Sequence, residues 1–525
     1  MCGISIAVTT RTINNYDIDN IGHRGPDSNR RVYFKLNEKY NIDLLFYRLS
    51  IIDLNHGIQP FHYKDDKQEL YLLCNGEIYN YKYLINKYNL DTTSDCEVIL
   101  KMYLKNKSIY DIVTELNGEF AFTFISIVND KINIYFGRDR FGIRPLFYKF
   151  DDTGLFISSE MKGIPEMNGL QVKPRKIYHT DLQNENVSTY YYIGTKEIIT
   201  DEKIACKQIK KYLINSIRDR MQSERPIGAL LSGGLDSSLI CGIAANILKE
   251  DGKKLNTFSI GMTNDSTDIL YARKVADHID STHHEIIIPV EEWLNSLENV
   301  IKQIETYDIT TIRASTGQYL ISKWISENTD IKVILNGDGS DELTSGYLYF
   351  FNAPDAQESH RENLILLNEI HNYDVLRVDR GISAFGLESR VPFLEHNFVD
   401  MYLSIDKNLR NPIKGKRMEK YLLRKAFEDE NIIPHEVLFR TKEAFSDGCS
   451  NLNKSWYEHI QDYIETIVSD EEFDSTFPSK EAYWYYKIFK KHYPHSELQV
   501  NYWMPKWSKE HNGNPSARIL NIYNI

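Results

Sequence analysis

The chain has 525 residues, of which 42% are hydrophobic and 26% charged, with a formal net charge of −12. This length calls for two domains with separate cores. The negative charge without a dense Lys/Arg block excludes a nucleic-acid partner, and no run reaches the roughly 18 apolar residues that a membrane span needs. The six cysteines are dispersed, and the N-terminal apolar run is too short for a signal peptide. We therefore expect a cytoplasmic protein without disulfides or a zinc site.

The first part of the chain, residues 1–195, consists of short β-like runs separated by turns. Strands are predicted at residues 3–8, 44–49, 70–73, 120–127 and 132–136. One helix is predicted at residues 96–105, after the cap-like Thr93-Ser94-Asp95. Many strands with few helices favour paired antiparallel sheets over βαβ units.

The second part, residues 196–525, has a different pattern. Helices are predicted at 204–221 and 237–248, and strands at 227–231, 256–260 and 333–335. This alternation predicts a parallel sheet. From about residue 360 onward the chain reads as mostly helical. The two domains are therefore predicted to be residues 1–195 and 196–525.

Cys2 directly follows Met1. Removal of Met1 would leave a free α-amino group, whose ordinary pKa of about 8 is close to that of the thiol. This amine can act as the base that forms a nucleophilic thiolate. A second-position cysteine is, by itself, more often a small residue at a frayed chain end. The other residues of the first domain decide between these two interpretations.

Several polar residues would suit a nucleophile that attacks an amide. The Asn75 side chain and the Gly76 N–H could stabilise an oxyanion, although Asn-Gly is also typical of a type I′ hairpin turn. Glu77 and Asp95 suit an ammonium group, and Asp95 is also a candidate N-cap. Arg48 suits a carboxylate, and its alternative is a solvated residue at a strand end.

Five segments of the first domain resemble the class II glutamine amidotransferase family. They are MCGI, HRGPD, RLSIID, NGEIYN and GRDRFG, in the order of the family. The resemblance implies an α+β N-terminal-nucleophile fold, a four-layer αββα sandwich. It implies Cys2 as the catalytic nucleophile and Asn75 with Gly76 as the oxyanion hole. It also implies a glutamine site formed by Arg48, Leu49, Ser50, Ile51, Ile52, Asn75, Gly76, Glu77 and Asp95.

A glycine-rich segment, SGGLDSS at residues 232–238, lies between a predicted buried strand and a helix. Its glycines would let backbone amides approach phosphates, and the helix N-terminus adds its dipole. Asp236 could hold Mg²⁺. The Walker A ending is absent, and a plain strand–helix turn is the structural alternative. The segment resembles the PP-motif of ATP pyrophosphatases, which implies an α/β parallel-sheet domain that binds ATP. The candidate ATP-binding residues are Leu231, Ser232, Gly233, Gly234, Leu235, Asp236, Ser237, Ile260, Asn336 and Gly337.

A second loop, NGDGSDE at residues 336–342, follows the strand predicted at 333–335. It resembles the SGEGSDE loop of the asparagine synthetase family, with Asn336 in place of Ser and Asp338 in place of Glu. Because Asp is one methylene shorter than Glu, the carboxylate of Asp338 lies roughly 1.5 Å closer to the backbone than that of a Glu would. Catalysis by oriented groups is sensitive to displacements of this size. Asp338 is nevertheless the catalytic candidate of this loop, and its shorter side chain puts the rate of the adenylation step in question.

Further segments extend the resemblance along nearly the whole chain. They are ETYDITTIRAS, SGYLYF, GLESRVPFL, KEAFSDG and YWMPKW. The resemblance implies Lys442 as a catalytic cation, with Arg313, Asp341 and Arg390 as acceptor or transition-state candidates. It implies Asp236 and Asp341 as ligands of Mg²⁺.

The combined resemblance implies two reactions with glutamine, aspartate and ATP as substrates. Glutamine hydrolysis would supply ammonia, which would pass through an internal apolar tunnel to an aspartyl-adenylate. Three alternatives stay open: another acceptor acid, an ammonia-only synthetase with a silent glutaminase, and a non-catalytic regulatory descendant. The sequence leaves the oligomeric state open, with a homodimer as one arrangement.

Overall fold

The computed structural model describes residues 1–10, 18–194, 196–450 and 454–507. The first part of the chain contains twelve strands and three α-helices in this described region. They are β1 (Gly3–Thr9), β2 (Ser28–Leu36), β3 (Tyr40–Arg48), β4 (Phe61–Lys64), β5 (Gln68–Ile78), α1 (Tyr81–Tyr88), α2 (Val98–Leu104), α3 (Ile109–Glu115), β6 (Gly118–Val128), β7 (Lys131–Arg138), β8 (Phe147–Asp151), β9 (Gly154–Ser158), β10 (Leu170–Gln171), β11 (Lys176–Thr180) and β12 (Glu185–Thr189).

These strands form two six-stranded antiparallel sheets, ordered β10-β8-β9-β1-β3-β2 and β12-β11-β7-β6-β5-β4. Apolar side chains fill the space between the sheets, among them Ile4 and Phe46 from the first and Leu73 and Ile125 from the second. Helices α1–α3 cover the outer face of the second sheet. Short 3₁₀ helices and the second part of the chain cover the first sheet. The expected two-sheet sandwich is confirmed.

The second part of the chain is mostly helical around five short strands. Its elements are α4 (Glu202–Arg220), β13 (Ile227–Leu230), α5 (Leu235–Glu250), β14 (Asn256–Gly261), α6 (Thr267–Ile279), β15 (Thr282–Ile287), α7 (Val290–Ile304), α8 (Ile309–Asn328), β16 (Val333–Leu335), α9 (Ser340–Thr344), α10 (Ala356–Glu369), α11 (Asp374–Ser383), β17 (Glu388–Arg390), α12 (His396–Leu403), α13 (Lys407–Arg410), α14 (Tyr421–Phe427), α15 (His435–Leu438), α16 (Phe445–Gly448), α17 (Trp456–Ile467) and α18 (Lys480–His492).

The five strands form a parallel sheet in the order β15-β14-β13-β16-β17. The chain moves outward from β13 to β15 on one side and then resumes with β16 and β17 on the other. The strand order therefore reverses between β13 and β16, and ligands of open α/β sheets bind at the carboxyl ends of such a pair. Both predicted loops, residues 231–234 and 336–339, leave the sheet at this position.

The Asn75-Gly76 pair lies inside β5 and does not form a hairpin turn. Asn75 pairs with Ala121 and Gly76 with Phe120 on β6. Gly76 has φ of 147°, and a Cβ atom there would collide with the carbonyl of Glu119. The backbone therefore requires glycine at this position.

The other sequence predictions agree with the elements to within a few residues, as with β13, β14 and β16. Helix α2 begins at Val98 with Glu97 at its N-cap, so Asp95 does not cap it. The helical prediction from residue 360 is confirmed as far as α18, and residues 508–525 lie outside the described region. Within the described residues, no helix is long and apolar enough to span a bilayer.

Candidate active site

The thiol of Cys2 lies where β1 begins, against the end of β3. Its Sγ accepts a hydrogen bond from the Leu49 N–H at 3.4 Å, and Arg24 Nε donates to the Cys2 carbonyl at 3.0 Å. Met1 is only 1% exposed, and its ammonium donates to the Leu387 carbonyl at 3.4 Å. Burial raises the pKa of the Cys2 thiol to about 11 and lowers the pKa of the Met1 amine to about 6. With Met1 in place, the thiol is therefore neutral near pH 7.

Asn75 presents a buried amide that the described residues leave unbonded. Its side chain is 0% exposed, and neither Nδ2 nor Oδ1 has a hydrogen-bond partner among those residues. An unsatisfied buried polar group costs about 1–3 kcal/mol, so such a group in a native fold calls for an explanation. The amide is available to a ligand, as an oxyanion-hole donor must be.

Three buried carboxylates, Glu77, Asp95 and Glu388, lie close to one another in this region. Glu77 lies 3.6 Å from Arg390 Nη2 and Asp95 Oδ2 accepts the Ile78 N–H at 2.9 Å. The third, Glu388, accepts from Arg390 Nε at 2.9 Å. Burial, with repulsion from Glu388 and Asp95, raises the pKa of Glu77 well above its usual range, and burial raises the pKa of Asp95 to about 6. A substrate ammonium group would relieve this repulsion and favour the ionised forms.

Arg48 is buried at the end of β3, so the solvated-edge interpretation of this residue is wrong. Its side chain is 6% exposed and donates to the carbonyls of Leu54 at 3.2 Å and Asp53 at 2.5 Å. The N–H of Ser50 donates to Asp27 Oδ2 at 2.8 Å. Arg48 thus shapes the loop beside the thiol that contains the predicted glutamine-binding positions Leu49, Ser50, Ile51 and Ile52. Carboxylate binding by Arg48 stays a prediction.

The second site is a cavity of about 240 Å³ at the reversal of strand order between β13 and β16. Most of the residues predicted for ATP and for the acceptor line it together. They are Leu231, Ser232, Gly234, Leu235, Asp236, Ser237, Ile260, Arg313, Asn336, Gly337, Asp338, Asp341 and Lys442. Gly233 and Arg390 are predicted site residues that do not line it.

The hydroxyls of Ser232 and Ser237 accept hydrogen bonds from the backbone of the glycine-rich loop. Ser232 N–H donates to Ser237 Oγ at 3.2 Å, and Gly234 N–H donates to Ser232 Oγ at 3.3 Å. Gly233 has φ of 69°, and a Cβ atom there would collide with Tyr271. Gly233 thus serves the backbone turn, and α5 begins at Leu235 with the residues of its first turn lining the cavity.

Two aspartates and two lysines connect the glycine-rich loop with the acidic loop. Asp236 Oδ1 accepts from Ser340 Oγ at 2.8 Å, and Lys420 pairs with both Asp236 and Asp341, the latter at 2.7 Å. Lys442 pairs with the other oxygen of Asp341 at 2.7 Å. Burial opposes ionisation of Asp341, but Lys420 and Lys442 outweigh it and hold its pKa below the usual range.

The carboxylates of Asp236 and Asp341 converge on a single ammonium group and so share one point suited to a cation. The described residues contain no group of three or more His, Cys, Asp or Glu side chains that could hold a metal ion by itself. Two carboxylates that act together with substrate phosphates are a typical Mg²⁺ arrangement. The residues present fit that ion.

Asp338 forms an ion-paired group that the sequence did not reveal. Arg377 pairs with both Asp338 and Asp374, and Gln318 Nε2 donates to Asp338 Oδ2 at 3.3 Å. Burial raises the pKa of Asp338 to about 6, although Arg377 opposes the shift. Asp374 and Arg377 stand three residues apart at the start of α11, outside every motif considered. Only the fold brings them to the acidic loop.

Of the predicted acceptor residues, Arg390 lies away from the cavity, and the role of Arg313 stays a prediction. Arg390 is 0% exposed and donates to Glu388 and to the carbonyls of Arg220 at 2.6 Å and Gln222 at 2.7 Å. It lies between the two parts of the chain, next to Glu77, because β17 forms the edge of the sheet that faces the first domain. Arg313 does line the cavity, but its guanidinium binds both oxygens of Glu481, at 2.8 and 2.6 Å.

The buried junction of the two parts contains ion pairs beside its apolar contacts, and the apolar tunnel stays a prediction. Glu119 accepts from Arg144 Nη2 at 3.0 Å and from Arg220 Nε at 2.8 Å, and none of the three is more than 1% exposed. Arg24 pairs with Asp379 across the same junction at 2.8 Å. A charged contact of this kind was not deducible from any single segment.

The fold and the two sites define a glutamine amidotransferase joined to an ATP-using synthase. A family model described as glutamine amidotransferase domain matches residues 1–216, and one described as asparagine synthase matches residues 208–364 and 352–518. The chain is 42% identical over 543 residues to an asparagine synthetase [glutamine-hydrolyzing] of Gallus gallus, and the match covers 96% of this chain and 95% of that protein. The protein of the same name from Bos taurus is 41% identical over 544 residues, with the same coverage.

The chain therefore belongs to the glutamine-hydrolysing asparagine synthetase family.

Proposed function

We propose that this chain hydrolyses glutamine at Cys2 and uses the ammonia to convert aspartate and ATP into asparagine, AMP and pyrophosphate. The observation that carries the proposal is the presence, in one chain, of an unbonded buried Asn75 amide in the domain that contains Cys2 and of a cavity between β13 and β16 that most of the predicted ATP-binding residues line. The family membership of the chain supports the same two-site reaction. Residues 1–195 would perform the first half and residues 196–525 the second.

In the first site, removal of Met1 would expose the α-amine of Cys2. That amine would take the thiol proton, and the thiolate would attack the side-chain amide of glutamine. Asn75 Nδ2 and the Gly76 N–H would bind the oxyanion of the tetrahedral intermediate. Ammonia leaves as the thioester forms, and water then releases glutamate.

The rest of the first site would hold the free amino acid. Glu77 and Asp95 would bind its ammonium group, because burial raises the pKa of both carboxyls and a nearby positive charge would favour their ionised forms. Arg48 and the backbone of residues 49–52 would bind its carboxylate. A peptide-bound glutamine lacks both charged groups and would bind poorly.

In the second site, the amides of residues 232–237 would bind the phosphates of ATP. Asp236 and Asp341 would hold Mg²⁺, which would neutralise phosphate charge during adenylation. Once Lys442 and Lys420 no longer pair with the aspartates, their ammonium groups would stabilise the departing pyrophosphate. Asp338, whose pKa is raised to about 6, would accept a proton from the attacking ammonia. Cytoplasmic location and a homodimer stay predictions of the sequence.

The test is a product analysis of the purified chain with glutamine, aspartate, ATP and Mg²⁺. We expect glutamate, asparagine, AMP and pyrophosphate in equal amounts. Replacing aspartate by glutamate, N-acylated amino acids or a carboxylated peptide should give little pyrophosphate. Formation of ADP and phosphate, or faster pyrophosphate release with another acid, would overturn the assignment of reaction or acceptor.

A further inference from the structure

The segment that follows α18 reaches the second cavity at Trp503. We name residues 496–507 the C-terminal strap. Ser496 N–H donates to Tyr493 at 3.2 Å, and the Tyr307 hydroxyl donates to the Leu498 carbonyl at 3.1 Å. At the far end, Lys506 pairs with Glu362 at 2.9 Å. The strap is thus attached at both ends.

Between these ends, the strap forms hydrogen bonds with a residue that lines the cavity and with the N-cap residue of α8. Trp503 N–H donates to Asp308 Oδ1 at 2.9 Å, while Asp308 Oδ2 accepts from Thr311 N–H at 2.8 Å as the N-cap of α8. The Tyr373 hydroxyl donates to the Asn501 carbonyl at 2.7 Å. Thr311 and Tyr373 both line the cavity, so the strap is built into its wall.

The side chain of Trp503 itself lines the cavity. Its ring lies 5.3 Å from the ring of Tyr347, which is also a lining residue, and 6.1 Å from the ring of Tyr349. The hydroxyl of Tyr347 donates to the buried Glu342 of the acidic loop, which orients that ring. The indole therefore belongs to a packed aromatic wall.

The strap also bonds to Tyr373, the residue that precedes the ion-paired group of the acidic loop. Tyr373 immediately precedes Asp374, and Asp374 shares Arg377 with Asp338. The strap thus bonds to the residue that adjoins the ion-paired group at which an acceptor acid would be activated. Nothing in the strap bonds to residues 231–237 among the contacts of the described chain.

We propose that Trp503 is a positioning residue of the second site, whose indole keeps water away from the acyl-adenylate until ammonia arrives. This proposal rests on the proposed function. In the side reaction that it suppresses, a water oxygen attacks the acyl carbon and the bond from that carbon to the phosphate oxygen breaks. AMP leaves with the electron pair, the water proton goes to solvent, and the free acid is regenerated. An apolar wall that excludes water limits such hydrolysis.

The test uses the full chain with aspartate, ATP, Mg²⁺ and ammonium chloride, and measures AMP formed per asparagine formed. For Trp503→Ala we expect this ratio to rise about threefold or more, because water then enters beside the adenylate. Trp503→Phe keeps an aromatic wall and should stay near the wild-type ratio. Asn501→Ala is the matched control, since that side chain is exposed and only its carbonyl contacts Tyr373.

Tyr373→Phe provides a second variant in case Trp503→Ala fails to fold. It removes the hydroxyl that holds the strap and leaves the indole in place, so we expect a smaller rise in the ratio. An unchanged ratio in a folded Trp503→Ala or Tyr373→Phe protein, with only a slower rate, would overturn the proposal and indicate a purely structural strap. If the wild type makes no asparagine at all, the proposed function fails first, and the two failures are thereby distinguished.

Discussion

Replacement of Asn75 by alanine should lower the rate of glutamine hydrolysis strongly and change the stability of the fold little. In most buried sites, loss of an amide removes hydrogen bonds and destabilises the protein. Here neither amide atom of Asn75 has a partner among the described residues. The substitution removes an unsatisfied group that costs about 1–3 kcal/mol, and this gain roughly offsets the lost packing. We therefore expect the free energy of unfolding to change by less than about 2 kcal/mol.

The catalytic effect should be much larger. Removal of one oxyanion-hole donor costs about 2.7–4 kcal/mol of transition-state stabilisation, or about 10²–10³ in kcat. The remaining donor, the Gly76 N–H, belongs to the backbone of β5 and is not altered. The expected result for Asn75→Ala is a glutaminase kcat lowered by this factor, with a modest change in KM because glutamine is held mainly by its charged groups.

The assay compares glutamate release with asparagine formation from ammonium chloride, in the same preparation. The second site serves as an internal control, since it does not use Asn75, and its ammonia-dependent rate should stay within about twofold of wild type. A glutaminase loss below tenfold would refute the oxyanion role. Equal losses in both reactions would show instead that Asn75 supports the fold.

Three further predictions concern the ionisable groups. The pKa of Asp95 is raised to about 6, and only its ionised form binds an ammonium group. The kcat/KM for glutamine should therefore fall as the pH drops below about 6. In the same pH titration, Asp95→Asn should give a low kcat/KM that depends less on pH. Asp338→Asn should lower the rate of ammonia-dependent asparagine formation about a hundredfold. Asp338→Glu keeps the charge beside Arg377, so its rate should fall less. Equal falls in rate for the two variants would argue against proton transfer. Lys420→Met leaves Asp236 and Asp341 without their shared ammonium group. The rise in melting temperature on adding Mg²⁺ alone should therefore be larger for this variant than for the wild type, by about 2 °C or more. Equal rises for both proteins would argue against the cation site.

Much of the fold follows from the sequence because its signals are local. The continuous apolar runs of β13 and β16 predict buried parallel strands, and the glycine-rich segment between β13 and α5 predicts a phosphate loop. The alternation in the first part predicts the antiparallel sheets. These features depend on residues that are neighbours along the chain.

The Asn75-Gly76 pair shows how a local signal can suggest the wrong structure. The turn statistics of Asn-Gly describe the two residues alone, whereas Gly76 is needed because the carbonyl of Glu119 lies where a Cβ would be. That neighbour is supplied by β6, about forty residues later in the sequence. Strand pairing therefore decides the conformation, and the pair alone cannot.

Ion pairs over long sequence distances were beyond prediction for the same reason. Arg377 and Lys420 carry no motif of their own, and a single charged residue is usually solvated. Their positions beside Asp338 and Asp341 depend on how α11 and the segment before α14 pack against the acidic loop. The motif around Arg390 indicates a family but no direction for its side chain, which binds Glu388 and does not line the cavity.

We propose that one chain transfers nitrogen from glutamine to aspartate, starting at Cys2. The most direct measurement supplies glutamine labelled with ¹⁵N in its side-chain amide, together with aspartate, ATP and Mg²⁺, to the wild type and to Cys2→Ala. We expect the label in the side-chain amide of asparagine from the wild type. Cys2→Ala should give no labelled product and still form asparagine when ammonium chloride is added. Label in the asparagine made by Cys2→Ala, or glutamate released by the wild type without labelled asparagine, would contradict the claim.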